Sequence, residues 1–237
     1  MPQVGFKLLR SFETADDSLL LCRYMTDWKF VDLISSRSLY FTPASEFSDK
    51  LEGHYTHLDS ELAERQLARW GLDSQARARA SDARTLIARH NQKAVVICCW
   101  TAVRGEDLRM WSEYGKGSNA VAFETTVGRL RRALGSDFLI APVTYVDFSQ
   151  QTIPKEHSLQ PFFFKQLCFA WEHEVRVVGE MEVGKRIESP RLVPIDLAST
   201  FQKVIVSPFA SVTYRIAVES RLSAASLCTP VHDSALR

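Results

Sequence analysis

No run of apolar residues in this sequence approaches the roughly 18 needed for a membrane-spanning helix. Residues 1–10 lack the apolar stretch of a secretory leader, so no membrane association is expected. No glycine loop of either common phosphate-cradling kind occurs; Gly115-Lys116-Gly117-Ser118 sets a lysine between glycines without P-loop spacing. There is no Gly-x-Ser-x-Gly nucleophile elbow and no Cys/His cluster at zinc spacing. The five cysteines, Cys22, Cys98, Cys99, Cys168 and Cys228, are odd in number, and Cys98-Cys99 lie in an apolar run like small core residues. That usage fits a reducing compartment, and a cytoplasmic location is expected. Charge is also unbiased: 29 basic against 28 acidic residues leave a net +1, so bulk charge announces no polyanionic partner. A local basic patch at Arg129, Arg131 and Arg132 is the exception. These absences strip support from the common hydrolase, kinase and dinucleotide-oxidoreductase readings.

What is present is enough for a core: 237 residues, 46% hydrophobic and 11% aromatic. The length predicts one domain, over 19–226, with an N-terminal extension over 1–18, a helical insertion over about 58–92 and a loose tail over 227–237. Apolar runs predict strands at 19–25, 39–42, 94–101, 120–123, 138–146, 191–195 and 203–206. Helices are predicted at 27–36, capped by Thr26 with Trp28, Val31, Leu33 and Ile34 as the apolar face, and at 108–114, 125–134, 158–169 and 212–225. Two more helices, broken near Gly71, fill 58–90; their charges read as solvated faces. The run at 94–101 is apolar throughout, as in a central strand buried on both faces. Strands and helices mix without β-α-β alternation, so the expected fold class is α+β, one mixed, mostly antiparallel (split) sheet with flanking helices.

The stretch around which the chain is organised is Phe169 to Val178, reading Phe-Ala-Trp-Glu-His-Glu-Val-Arg-Val-Val. Its valine-rich end has strand character, and side chains two apart in a strand share a face. Glu172, Glu174 and Arg176 are therefore expected in one row. Two adjacent carboxylates raise each other's pKa unless a cation relieves them. Such a row is either a solvated face balanced by Arg176 or the rim of a pocket; the apolar run before it, from Phe162 to Phe169, favours the rim. Three functional classes stay open at this point. The row is catalytic, or it is an ion-pair network of Arg23, Arg176 and the glutamates in a non-catalytic binding module, or Asp49, Glu52, Glu172 and Glu174 serve a magnesium-dependent nuclease. Glu52, His54 and His57 form a further conceivable metal set, though no metal site is expected.

Several islands resemble a bacterial family named only as domain of unknown function 2971. They are Cys22-Arg23-Tyr24; Leu39 to Pro43 with Phe47 and Asp49; Cys99-Trp100-Thr101; Met110 to Tyr114; Trp171 to Arg176; and the closing strand Phe201 to Val206. The loop after the second island departs from the family's Asn-Asp-Pro and Phe-Glu, reading Ser48-Asp49-Lys50-Leu51-Glu52, and Glu113 stands where a histidine is common. More loosely, the chain resembles ADP-ribosyltransferases of the Arg-Ser-Glu type. These carry an arginine on an early strand, a Ser/Thr-bearing strand mid-chain and a Glu-x-Glu opening a later one; the same order runs here through Arg23, Thr101 and Glu172-His173-Glu174. That resemblance implies an enzyme that cleaves NAD as its substrate and passes ADP-ribose to a protein or nucleic-acid acceptor, as bacterial toxins and phage-defence effectors do. It implies Glu174 as the catalytic acid beside the oxocarbenium-like ribose and Glu172 as the residue that orients or deprotonates the acceptor. Arg23 would hold the pyrophosphate, Trp111 or Tyr114 would stack on nicotinamide, and Tyr24, Thr101 and Arg176 would complete the NAD-binding set.

Overall fold

The computed structural model describes residues 15–49, 51–180 and 191–236. The chain opens with β1 (Leu20–Thr26), α1 (Asp27–Ser36) and β2 (Ser38–Pro43). The helical hairpin α2 (His57–Arg69) and α3 (Ser74–Ala94) follows, then β3 (Val95–Ala102). Next come α4 (Leu108–Met110), which runs into a π-helical turn over Trp111–Gly115, then β4 (Ala120–Thr126), α5 (Val127–Leu134), β5 (Phe138–Pro142) and β6 (Thr144–Val146). The last third holds β7 (Phe164–Gln166), β8 (Glu174–Glu180), β9 (Arg191–Pro194), α6 (Leu197–Thr200), β10 (Lys203–Val206), α7 (Val212–Ala224) and β11 (Val231–Asp233).

The fold is α+β, built on a mostly antiparallel sheet that branches at β3. One edge of β3 pairs with β8 from Val95 to Thr101, and β5 lies beyond β8. Its other edge is shared: β1 takes Thr101 and Ala102, while β2 takes Val96 and Ile97. From β1 the sheet continues through β4 and β10 to β11, and from β2 to β9. Among the described residues only β11 joins this sheet in parallel; β6 and β7 form a separate parallel pair. Alternation along each strand separates two cores. One face carries Leu21, Met25, Val96, Trp100, Phe123, Val175 and Val177 and is covered by α1, α5 and α7. The other carries Val95, Ile97 and Val178 near β5, and Cys22, Tyr24 and Ala122 under the turn of Trp111.

Several expectations are corrected. The segment 158–169 is not one helix: a 3-10 turn at Gln160–Phe163, β7 and a second 3-10 turn at Leu167–Glu172 replace it. Pro161 sits in the first of these turns, and the consecutive Phe162 and Phe163 are both buried in the core near β5, with Phe164 packed against it, a run without helical periodicity. The strand expected at 138–146 divides at Val143: Phe138–Pro142 pairs with β8, whereas Thr144–Val146 leaves it to pair with β7. Thr26 stands at the α1 N-terminus, but its hydroxyl makes no cap bond and is buried without a partner. α1 buries Phe30, Leu33 and Ile34, leaving Trp28 66% exposed. The tail expected to be loose carries β11, and buried Ser234 ties it down. The expected extension over 1–18 lies mostly outside the described residues; within it, Ala15 is buried in the core.

Candidate functional site

The π-helical turn and an unusual backbone step position the charged residues. His173 sits at φ 44°, in the left-handed region, between the 3-10 turn of Leu167–Glu172 and β8. Histidine tolerates that region better than bulkier or branched residues. The step means that Glu172 is not on the strand, contrary to the expectation of one row. It still meets Glu174, because Lys165 on β7 reaches both: its Nζ lies 2.5 Å from Glu172 Oε2 and 3.3 Å from Glu174 Oε2. Arg176 sits two residues along β8 from Glu174 and donates to it through Nε at 2.8 Å and Nη2 at 3.2 Å. The same guanidinium grips Glu52 from the loop before α2, with Nη1 at 2.5 Å and Nη2 at 2.9 Å, and also donates to the Phe162 carbonyl at 2.6 Å. Tyr114, carried on the π-helical turn, donates its hydroxyl to Glu172 at 3.0 Å. Tyr145 accepts from the Glu174 N–H at 2.8 Å.

The row is neither a solvated face nor an open rim. Glu172 is 6% exposed, Glu174 5% and Arg176 not at all. Burial pushes the Glu174 carboxyl up, but the Arg176 guanidinium and the Lys165 ammonium outweigh burial and hold it at about 2. Glu52 moves the other way: burial outweighs Arg176 and raises its carboxyl. Burial works against the Lys165 ammonium, yet Glu174 and Glu172 keep its pKa raised. Burial, then Glu172, pushes the Tyr114 hydroxyl up, so it remains a donor. Three carboxylates meet two cations here, and every one of them is hydrogen-bonded, as buried charges must be. Glu52 gives both oxygens to Arg176, which takes it out of any metal set with Asp49, His54 or His57. Among the described residues no group of three His, Cys, Asp or Glu is placed to hold a metal ion.

An open cleft of about 450 Å³ lies beside this network, at the C-terminal end of β3. Tyr24, Thr101, Arg104, Asp107, Trp171 and His173 are in its walls. Thr101 is the register partner of Glu174 across β3 and β8, and of Cys22 on β1, so these three share a face. No protein-family model matches the chain, and no curated protein matches it either. The site therefore rests on its own geometry.

That geometry divides the expected residues. Glu172, Glu174, Arg176 and Tyr114 are joined in one network, and Tyr24 and Thr101 line the cleft. Arg23 belongs to neither. Its register partner is Phe123, and its guanidinium lies 5.8 Å from the Trp100 ring, both on the opposite face of the sheet. Its Nη2 donates to the Tyr40 carbonyl at 3.2 Å, bridging the gap where β1 and β2 part. Trp111 is fully buried, edge-on to Tyr24 at 4.8 Å, with its Nε1 on Glu106 at 3.2 Å; it is core and cannot stack on a ligand. Sequence reasoning missed Lys165, the cation that holds the two glutamates together, and Trp171 as a cleft wall backed by the Arg109 guanidinium at 3.7 Å. Lys165 stands alone after Phe162-Phe163-Phe164; a lone cation in an apolar run is the signal that marked it.

Proposed function

We propose that this chain is a nucleotide-binding domain of the ADP-ribosyltransferase type, in which the cleft beside Thr101 takes NAD and the glutamates hold the scaffold without acting on the substrate. One observation carries the second half of that reading. Glu174 is buried with both oxygens engaged by Arg176 and Lys165, so neither oxygen is free to face a developing ribose cation. The cleft supports the first half. Its volume falls in the range of small-molecule sites, Trp171 and Tyr24 offer aromatic surface, and Arg104 offers a cation for pyrophosphate.

A second reading, active transfer of ADP-ribose to a protein or nucleic-acid acceptor, is favoured by the pairing of Thr101 with Glu174, which sets the acid one strand away from a cleft wall. One experiment separates the two. NAD at a hundredfold its dissociation constant should stabilise the chain by about 2.7 kcal/mol, read as a rise in melting temperature. Trp171→Ala and Arg104→Glu should reduce that rise, whereas Glu174→Gln, compared with its own baseline, should keep it, and no nicotinamide should be released. Nicotinamide release that Glu174→Gln abolishes would establish the transferase reading. No thermal response to NAD would overturn both.

A further inference from the structure

The hairpin of α2 and α3 is the least embedded part of the described chain. α3 is 21 residues long and buries none of them. Its inner face, through Arg77, Arg84 and Ala88, is half-covered, and Arg77 pairs with Glu64 of α2 at 3.4 Å. The outer face repeats at helical spacing through Arg79, Asp82, Leu86, Arg89 and Lys93, all exposed. Charge is concentrated here. α3 carries Arg77, Arg79, Arg84, Arg89 and Lys93 against Asp82, a net +4; the chain as a whole is +1, so the remainder is −3. Arg79, Arg89 and Lys93 are exposed and form no ion pair among the described residues. A balanced net charge therefore conceals a basic ridge on an otherwise acidic body.

We infer that the outer face of α3 binds the phosphate backbone of a nucleic acid, through Arg79, Arg89 and Lys93. These three span about 21 Å of helix, at about 1.5 Å per residue, long enough to follow successive phosphates along a groove about 12 Å wide. An anionic membrane surface is the less suitable occupant. An interfacial helix needs a continuous apolar face toward the lipid, and here the exposed large apolar residues of α3 are confined to the adjacent Leu86 and Ile87, with charges above and below them. The inference does not depend on what fills the cleft. The C-terminal end of α3 is nevertheless anchored to the buried network, since Gln92 Nε2 donates to the Glu52 carbonyl at 2.6 Å.

The test is fluorescence anisotropy of the full chain with short labelled DNA and RNA duplexes, titrated across salt. Three phosphate contacts predict a salt slope near 2.7 in log–log terms on duplex DNA, or about a 40-fold loss of affinity between 50 and 200 mM salt. Arg79→Ala, Arg89→Ala and Lys93→Ala together should abolish that salt-dependent binding. The charge-conserving set Arg79→Lys, Arg89→Lys and Lys93→Arg should restore it, with circular dichroism confirming that both variants keep their helix. Absence of binding to either duplex at low salt would overturn the inference, as would undiminished binding by the triple alanine variant. Binding confined to phosphatidylserine vesicles would also overturn it, by assigning the face to a membrane.

Discussion

Arg176 illustrates how one buried cation decides what its neighbours can do. It pairs with Glu174 along its own strand and with Glu52 from 124 positions away, so one guanidinium sets two carboxylates. The consequence is a pH dependence with a defined sign. Glu174 is depressed from its ordinary 4.5 to about 2, so the folded chain surrenders that proton more readily than the unfolded chain. The stability this contributes is complete above about pH 4.5 and is lost as pH falls toward 2, on the order of 3 kcal/mol in all. Glu52 acts oppositely, because its raised pKa favours the folded state on acidification, and it offsets part of the loss. Urea midpoints measured from pH 5 downward should therefore fall, and Glu174→Gln should flatten that fall; an unchanged profile in the variant would refute the assignment. Glu174 and Arg176 could be read as neighbours from strand periodicity. Their burial could not, because nothing local records that Glu52 and Lys165 arrive to neutralise them.

At the scale of elements, the strands and helices with clear periodicity emerge where the sequence puts them. α1 begins at Asp27 and ends at Ser36 as expected, α2 and α3 divide around Gly71, and β3 is central. The failures lie where short aromatic stretches carry no period, as in 158–169. The loop before α2 depends on backbone freedom at one position. Gly53 sits at φ 70°, and a Cβ there would fall 2.2 Å from Phe162 Cε1. Gly53→Ala therefore combines left-handed strain with a collision in the core, and should destabilise by about 2–4 kcal/mol, seen as a lower denaturant midpoint at unchanged slope. Because Glu52 precedes this glycine, the same change should also loosen its hold on Arg176.

Across the whole molecule, the C-terminal strand closes the sheet and joins it to the cleft. β11 pairs in parallel with β10. Just beyond it, the Ser234 hydroxyl and the Ala235 N–H donate to Glu106 at 2.5 and 2.7 Å, the same carboxylate that accepts from Trp111. Among the described residues no helix is long and apolar enough to cross a membrane. Removing residues 231–237 should cost about 2–4 kcal/mol through the lost charge-assisted bonds. It should also bare an edge of β10, measurable as self-association by size-exclusion chromatography. A truncated chain that stays monomeric and fully stable would contradict this role.

Periodicity and turn chemistry along the chain were sufficient to define the α+β class, the central strand and most element boundaries, because those properties depend on neighbours a few residues apart. Strand periodicity also put Glu172, Glu174 and Arg176 near one another, whereas Thr101 and Tyr114 entered only through the resemblance to ADP-ribosyltransferases. Side-chain parity across paired strands was needed to send Arg23 to the far face, since one residue of register reverses a side chain's direction. Long-range packing brought Lys165 and Glu52 against the glutamates and turned an apparent reactive row into a buried, neutralised one.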